Sequence, residues 1–405
     1  MAIKKKKKSG TSVIRIAARE ASLKRRFRRH LRGLGFVKRK DGFSHADAGS
    51  KDVVRALHSA QRDDKLRANE QFIAQRTPDL IKHFATGAEI DPAKVAPELE
   101  RISSGTWQSD LFRLASLTWS VPVSSGFGRR LRYLVWDRQN EKLIGLIAIG
   151  DPVFNLAVRD NTIKWNVRDR EERLVNLMDA YVLGAVPPYN MLLGGKMVAC
   201  LLRSRDIYDD FMRAYGSTTG IISKRKKKAR LLAITTSSSM GRSAVYNRLK
   251  LGGVPYFSSV GYTSGWGHFH IPDDLFAELR DYLRKTGHTY ADLHRFGQGP
   301  NWRLRATRAA LTSLGFDGHM LRHGIKREVL LCTLAANAFE ILRTGKGRPD
   351  LSGLLAAPEV AKLAIDRWLI PRADRKPEYK LWTVDQLTPL LATGKTMPAP
   401  IAKSG

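Results

Sequence analysis

The run Lys142-Leu-Ile-Gly-Leu-Ile-Ala-Ile-Gly150 is apolar at consecutive positions, so a strand built from it must be covered on both faces. Tyr181–Val186 has the same character and is stopped by Pro187-Pro188. Two such runs require a sheet with packed layers on either side, which only a sizeable core can provide. The chain has 405 residues and is 43% hydrophobic, enough for two or three domains. Leu131–Trp136 alternates like a strand, and Asp137–Glu141 is short enough to join it to the Leu143 run as a hairpin.

The remaining segments arrange themselves around this centre. Residues 1–50 read as a basic arm and linker, with Arg39–Lys51 polar and glycine-containing. Residues 51–129 carry helical spacing, and 291–405 read as a helical C-terminal region. Between them, 130–290 mixes strands and helices. Helices are expected over Arg168–Ala180, from Asn190 to Arg203, and from Asp273 to Gly287. Further strands are expected at Arg230–Thr236, Pro255–Val260 and Gly265–Ile271. The fold class is therefore α+β or mixed α/β, a central sheet domain flanked by helical N- and C-terminal regions.

Charge narrows the function. Lys and Arg number 70 against 38 Asp and Glu, a formal +32 that an anionic partner would offset. The first 40 residues hold 16 basic residues and one acid, a net +15, leaving +17 to the rest. Lys4–Lys8 has the look of a nuclear-localisation run, and no 7–15-residue apolar stretch follows it, so a secretory leader is not expected. Around Lys24, Arg25, Arg26, Arg28 and Arg29, the residues Leu23, Phe27, Leu31 and Leu34 recur at helical spacing. That is a basic amphipathic helix suited to nucleic acid, an anionic membrane surface or an acidic partner, and the overall charge favours nucleic acid. Lys224, Arg225, Lys226, Lys227 and Lys228 form a third basic run. Two cysteines, Cys200 and Cys332, can build neither a disulfide framework nor a four-thiolate zinc site. Apolar stretches such as Val329–Leu342 are broken well short of a membrane span, and no membrane insertion is expected.

Local chemistry offers three candidates. Asn190, Gly194, Gly195 and Lys196 follow a strand, where a helix N-terminus can seat an anion. The GxxxxGK[ST] spacing of a phosphate-binding loop is absent. Ser237, Ser239 and Arg242 lie in a hydroxyl-rich turn after the next strand, and the two segments are expected to face one anion-binding cleft. Tight helix-on-sheet packing through the glycines is the competing account. His268 and His270, two apart on an expected strand, would share a face as metal ligands or catalytic groups, but no third ligand is visible and half-exposed strand histidines are the simpler reading. Arg159-Asp160 and Arg168-Asp169-Arg170 read as surface pairs. No metal or cofactor is predicted, and no catalytic constellation is complete.

Four segments together resemble a known family. They are Leu143-Ile-Gly-Leu-Ile-Ala-Ile-Gly-Asp-Pro-Val-Phe154, Met178–Lys196, Thr235-Thr-Ser-Ser-Ser-Met-Gly-Arg-Ser-Ala-Val-Tyr246 and Gly261-Tyr-Thr-Ser-Gly-Trp-Gly-His-Phe-His270. The set resembles the DruA family, found in Druantia anti-phage defence systems of bacteria and near mobile elements. The resemblance implies a bacterial cytoplasmic protein acting beside other Druantia components, including a large helicase-like partner, and implies no catalytic residues. A weaker resemblance is to the acetyltransferase (GNAT) fold, whose pyrophosphate turn would fall at Asp151-Pro152-Val153-Phe154, where a carboxylate and a proline spoil an anion nest. The expected role is a nucleic-acid-binding subunit of an antiviral system. The alternative is a transferase of acetyltransferase-like fold modifying nucleic acid or a partner protein.

Overall fold

The computed structural model describes residues 10–39, 42–45, 49–219, 226–292 and 302–394. In chain order, helix α1 (Gly10–Gly33) is followed by the hairpin β1 (Phe36–Arg39) and β2 (Gly42–His45), then α2 (Lys51–Arg67) and α3 (Glu70–Leu80). Next come β3 (Pro97–Arg101), α4 (Trp107–Leu117), β4 (Arg130–Asp137) and β5 (Lys142–Gly150). The short helices α5 (Ala157–Ile163) and α6 (Val167–Arg173) lead into β6 (Leu177–Ala185), α7 (Gly194–Leu201) and α8 (Arg205–Tyr215). Six strands and hairpin arms follow: β7 (Ser217–Thr219), β8 (Lys226–Lys228), β9 (Ala233–Ser237), β10 (Lys250–Leu251), β11 (Val254–Pro255) and β12 (Ser258–Tyr262). The chain continues with α9 (Asp273–Lys285), α10 (Trp302–Ser313), β13 (Glu328–Thr333), α11 (Ala338–Thr344) and α12 (Ala357–Ala364).

Two compact units result. Unit 1 is made of residues 1–64 and 264–325, and unit 2 of residues 65–263 and 326–405. The four-part division read from the sequence runs along the chain, whereas each unit draws on two separate stretches.

Unit 2 is organised by a seven-stranded sheet of order β12-β13-β9-β6-β5-β4-β3. Every neighbouring pair is antiparallel except β6 and β9, which run parallel with Leu177 opposite Ala233 and Asp179 opposite Thr235. The two-sided apolar runs behave as their pattern requires. Ile147, Ile149, Met178 and Leu183 pack with Met197, Val198 and Leu201 of α7 on one face. Leu146, Ala148 and Val182 pack with Leu111 and Leu114 of α4 on the other. Ile147 is fully buried.

Several expected boundaries move. The helix expected over Arg168–Ala180 ends at Arg173, because Leu177–Ala180 are drawn into the parallel pairing of β6 with β9. The C-terminal region read as helical contributes an interior strand, β13, next to the edge strand β12. Val329–Cys332 is a short apolar run whose periodicity cannot separate a buried strand from a buried helix. Part of the expected linker is the β1–β2 hairpin. The strand expected at Gly265–Ile271 is absent: His268 lies in a bend and His270 in the turn after it.

Unit 1 explains the periodicity of the first helix. Leu23, Phe27 and Leu31 on α1 are buried, and the Phe27 and Phe316 rings lie 5.3 Å apart. A membrane-surface role for this apolar face is therefore excluded, since the protein's own core already covers it.

Candidate nucleic-acid interface and sheet-end site

With its apolar stripe buried, α1 turns a fixed set of cations outward. Arg25, Arg28, Arg29 and Arg32 are exposed and, spaced three and four apart, form one ridge along the helix. None of the four pairs with a carboxylate among the described residues, and Arg28 lies 5.3 Å over the Phe316 ring. Arg26, grouped with them in the sequence, is committed elsewhere: its guanidinium meets Asp274 and Glu278 of α9. Lys24 is half-buried. The sequence block therefore divides between an outward ridge and an internal clamp, with Arg32 joining the ridge. Lys226, Lys227 and Lys228 form β8 in unit 2, with Lys226 and Lys228 exposed, while Lys224 and Arg225 lie outside the described residues.

At the sheet, β6 and β9 end on the same side because they run parallel. Helix α7 opens at Gly194, four residues later than expected from Asn190. Asn190 is exposed, and its backbone N–H donates to Val186 O in a turn. The Gly194 and Lys196 N–H groups donate to Tyr189 O and Leu193 O, so two donors of the first turn are already used. The two glycines differ. A Cβ at Gly194 would lie 2.7 Å from Tyr189 O, whereas one at Gly195 would meet Val245 at 3.8 Å and Ala185 N at 3.9 Å. Lys196 sets its ammonium 5.6 Å over the Trp368 ring.

No helix follows β9. Residues 238–249 form bends and turns held by β13. Ser238 N–H donates to Glu328 O, and Ser243 N–H donates to the buried Glu328 carboxylate at 2.9 Å. An internal carboxylate thus occupies part of the turn read as an anion seat. Ser237 and Arg242 are exposed and Ser239 is half-buried. The same segment does reach the α7 end of β6: Tyr246 Oη donates to Leu183 O at 2.7 Å, and Val245 faces Gly195. Gly195 and the loop after Ser243 are brought together, while Asn190 and Arg242 stay exposed to solvent.

Asp179 was not singled out by its sequence context. It lies on β6, and Thr235 Oγ1 on β9 donates to its carboxylate at 2.6 Å. Burial pushes this carboxyl up to about 6, against the pull of Thr235 and Arg159. The only available signal was an acid inside an otherwise apolar strand, Met178-Asp-Ala. Arg159 and Asp160, expected on the surface, are buried instead. Asp160 pairs with both Arg159 and Arg170, and Arg159 also donates to the Val153 and Phe154 carbonyls, pinning the loop after β5.

The acetyltransferase-like reading set its anion turn at Asp151–Phe154, behind β5. β5 is antiparallel to both of its neighbours. Among the described strands, the parallel pair with a helix between its members is β6 and β9, and the turn at its carboxyl end is 186–193. The two histidines of the third candidate do not share a strand face. His270 is buried against Phe36 and His323, and burial holds its imidazole well below the usual range. Among the described residues no group of three His, Cys, Asp or Glu side chains is placed to hold a metal ion.

Comparison with known proteins places the chain. Residues 48–344 match the family model described as Druantia protein DruA. A curated relative, Druantia protein DruA of Escherichia coli (strain UMEA 4076-1), is 64% identical over 380 residues, covering 94% of each chain. No solved structure matches. The chain belongs to the DruA family, and with it to the components of Druantia-type anti-phage defence. Among the described residues no helix is long and apolar enough to cross a membrane.

Proposed function

We propose that this chain is a nucleic-acid-binding subunit of its defence system, acting in the bacterial cytoplasm beside the other Druantia components, a helicase-like protein among them. The observation that carries the reading is the α1 ridge of Arg25, Arg28, Arg29 and Arg32, exposed on a helix whose apolar face is locked into unit 1. A rigid row of cations can neutralise phosphates without first being ordered, and the +17 carried by residues 41–405 adds to the attraction. Deleting residues 1–40 would remove Phe27 and Leu31 from the core along with the charge, so substitution is the cleaner test. Changing all four ridge arginines to Gln should make the salt dependence of duplex binding shallower by about three to four in log–log slope. An unchanged slope would assign the ridge to an acidic protein partner.

A second reading is supported by the β6–α7–β9 unit. A helix opening at the carboxyl end of a parallel pair is where such sheets receive ligands, and Asp179 adds a titratable carboxylate to the same strands. This favours a transferase of acetyltransferase-like arrangement, modifying nucleic acid or a partner protein. Asn190, Gly194, Gly195 and Lys196 with Ser237, Ser239 and Arg242 would line its anion cleft, with Gly195 and Val245 at the point where the two segments meet.

A further inference from the structure

We infer that Trp266 is a stacking platform for an unpaired base of a single-stranded nucleic acid, which specifies the form of ligand in the nucleic-acid reading above and rests on it. Among the aromatic residues in and near the family motifs, Phe154, Tyr262 and Trp266 are exposed, and of these three Trp266 is the one with a closely packed glycine on each side. Trp165, Tyr189 and Tyr256 are buried, and Tyr181 and Tyr246 are half-buried. In unit 1, Trp266 keeps 38% of its surface exposed.

The exposed indole is held by a rigid backbone. Gly265 has φ +73, and a Cβ there would come within 3.0 Å of the Gly324 backbone. A Cβ on Gly267 would meet His323 Nε2 at 3.2 Å. The N–H groups of His323 and Gly324 both donate to Gly265 O, and Gly267 N–H donates to Leu321 O. Trp266 also forms an isolated antiparallel bridge with Arg322. The glycines on either side let this strip of chain lie flush against 321–325, and the residue between them projects. An indole fixed in this way loses little entropy when a flat ligand stacks on it.

Its neighbours suit a nucleotide. The exposed Arg308 guanidinium lies over the indole ring, 5.8 Å from its centroid, so a base would stack on the face away from it or displace it; the exposed Arg322 is the bridge partner of Trp266, and the His319 ring is 5.7 Å away. The aromatic face can take a base while Arg308 and Arg322 take flanking phosphates. Base faces are covered in a duplex, so the platform requires an unpaired strand. The 315–322 segment links the platform to the ridge: Phe316 carries Arg28, and His319 three residues on packs against Trp266. One carboxylate, Asp317, lies between them, and it accepts from the His319 N–H at 3.1 Å.

The test uses the full chain, a labelled 20-nucleotide oligothymidylate and a 20-base-pair duplex at one salt concentration. Trp266→Ala should weaken oligothymidylate binding by about tenfold, in line with the loss of one base–aromatic stack, and leave duplex binding within about twofold. Trp266→Phe should retain most of the single-strand affinity, because a ring remains. Oligothymidylate should also quench the tryptophan fluorescence of the wild type more than that of Trp266→Phe, a readout that does not depend on the alanine variant. Equal single-strand binding by Trp266→Ala and wild type, or equal losses for both ligands, overturns the platform. In either case, weaker duplex binding by the four-arginine variant leaves the ridge reading standing. Failure of the wild type to bind either ligand at low salt defeats both.

Discussion

Replacing Asp179 by Asn should stabilise the protein, by an amount that depends on pH in a defined direction. In the folded chain burial raises the Asp179 carboxyl from an unfolded value of 3.8 to about 6. The folded state therefore holds this proton more tightly than the unfolded state does. Below 3.8 the group is protonated in both states and contributes nothing. As pH rises from 3.8 through 6 the unfolded chain releases the proton first, and stability falls. The displacement of roughly two units corresponds to about 3 kcal/mol at pH 7, which is an upper bound because Asp179 as a residue is only half-buried. Asn keeps an oxygen for the Thr235 hydroxyl and carries no charge, so it removes the penalty without orphaning the donor. Urea unfolding of both proteins at pH 4.5 and pH 7.5 reads the effect. The expected result is a variant more stable at pH 7.5, with the gap reduced to about a third at pH 4.5. A variant less stable at pH 7.5, or a gap that does not change with pH, refutes the argument. The same variant tests the transferase reading: a carboxylate kept at a cost in stability implies a task for it, so Asp179→Asn should lose phage protection while folding better.

Gly194→Ala should destabilise, because its Cβ would meet Tyr189 O at 2.7 Å, whereas Gly195→Ala finds ordinary contacts and should gain up to about 1 kcal/mol of helix propensity. Thermal midpoints of the two variants measure this, and loss of phage protection by a stably folded Gly195→Ala would point to ligand approach at that glycine. In unit 1, burial, with Arg303 nearby, lowers His268 to about 4, so its contribution is intact above the unfolded value of 6.5 and is lost as pH falls towards 4. Relative to His268→Gln, the wild type should lose up to about 2 kcal/mol between pH 7 and pH 5 in urea unfolding, and parallel curves for the two proteins would refute the assignment.

The sheet was legible where the residue pattern favoured one structure. Leu143–Ile149 is apolar at every position, and its short length, its three isoleucines and the polar Asp137–Glu141 turn before it favour a strand covered on two sides, as found. The pairing partners were not legible. Val329–Cys332 occupies the sheet between β9 and β12, yet its four apolar residues carry no period of their own. Leu177–Ala180 continues a helical spacing and becomes a strand because β9 lies parallel beside it, a contact 56 residues away in sequence. Charge was legible as a total and not as a distribution. Arg26 and Arg25 are indistinguishable in the sequence, and only the carboxylates of Asp274 and Glu278, some 250 residues on, decide which of the two faces outward.

The motif glycines show the same division between what a residue type permits and what its surroundings make of it. Gly194 and Gly195 are adjacent and identical, and the structure assigns them different duties: one admits the Tyr189 carbonyl, and the other leaves a gap lined by Val245. Gly265 and Gly267 are two apart, and both press their backbone against 321–325. In the second case the packing of the glycines and the exposure of the residue between them are one arrangement. Flush contact on both sides of Trp266 leaves its side chain nowhere to go but outward. A substitution at Gly265 should therefore disturb single-strand binding through the indole's position even though the glycine touches no ligand. Loss of that binding in Gly265→Ala, with the duplex affinity of the α1 ridge retained, is the signature that separates a presented platform from a tryptophan that happens to be exposed.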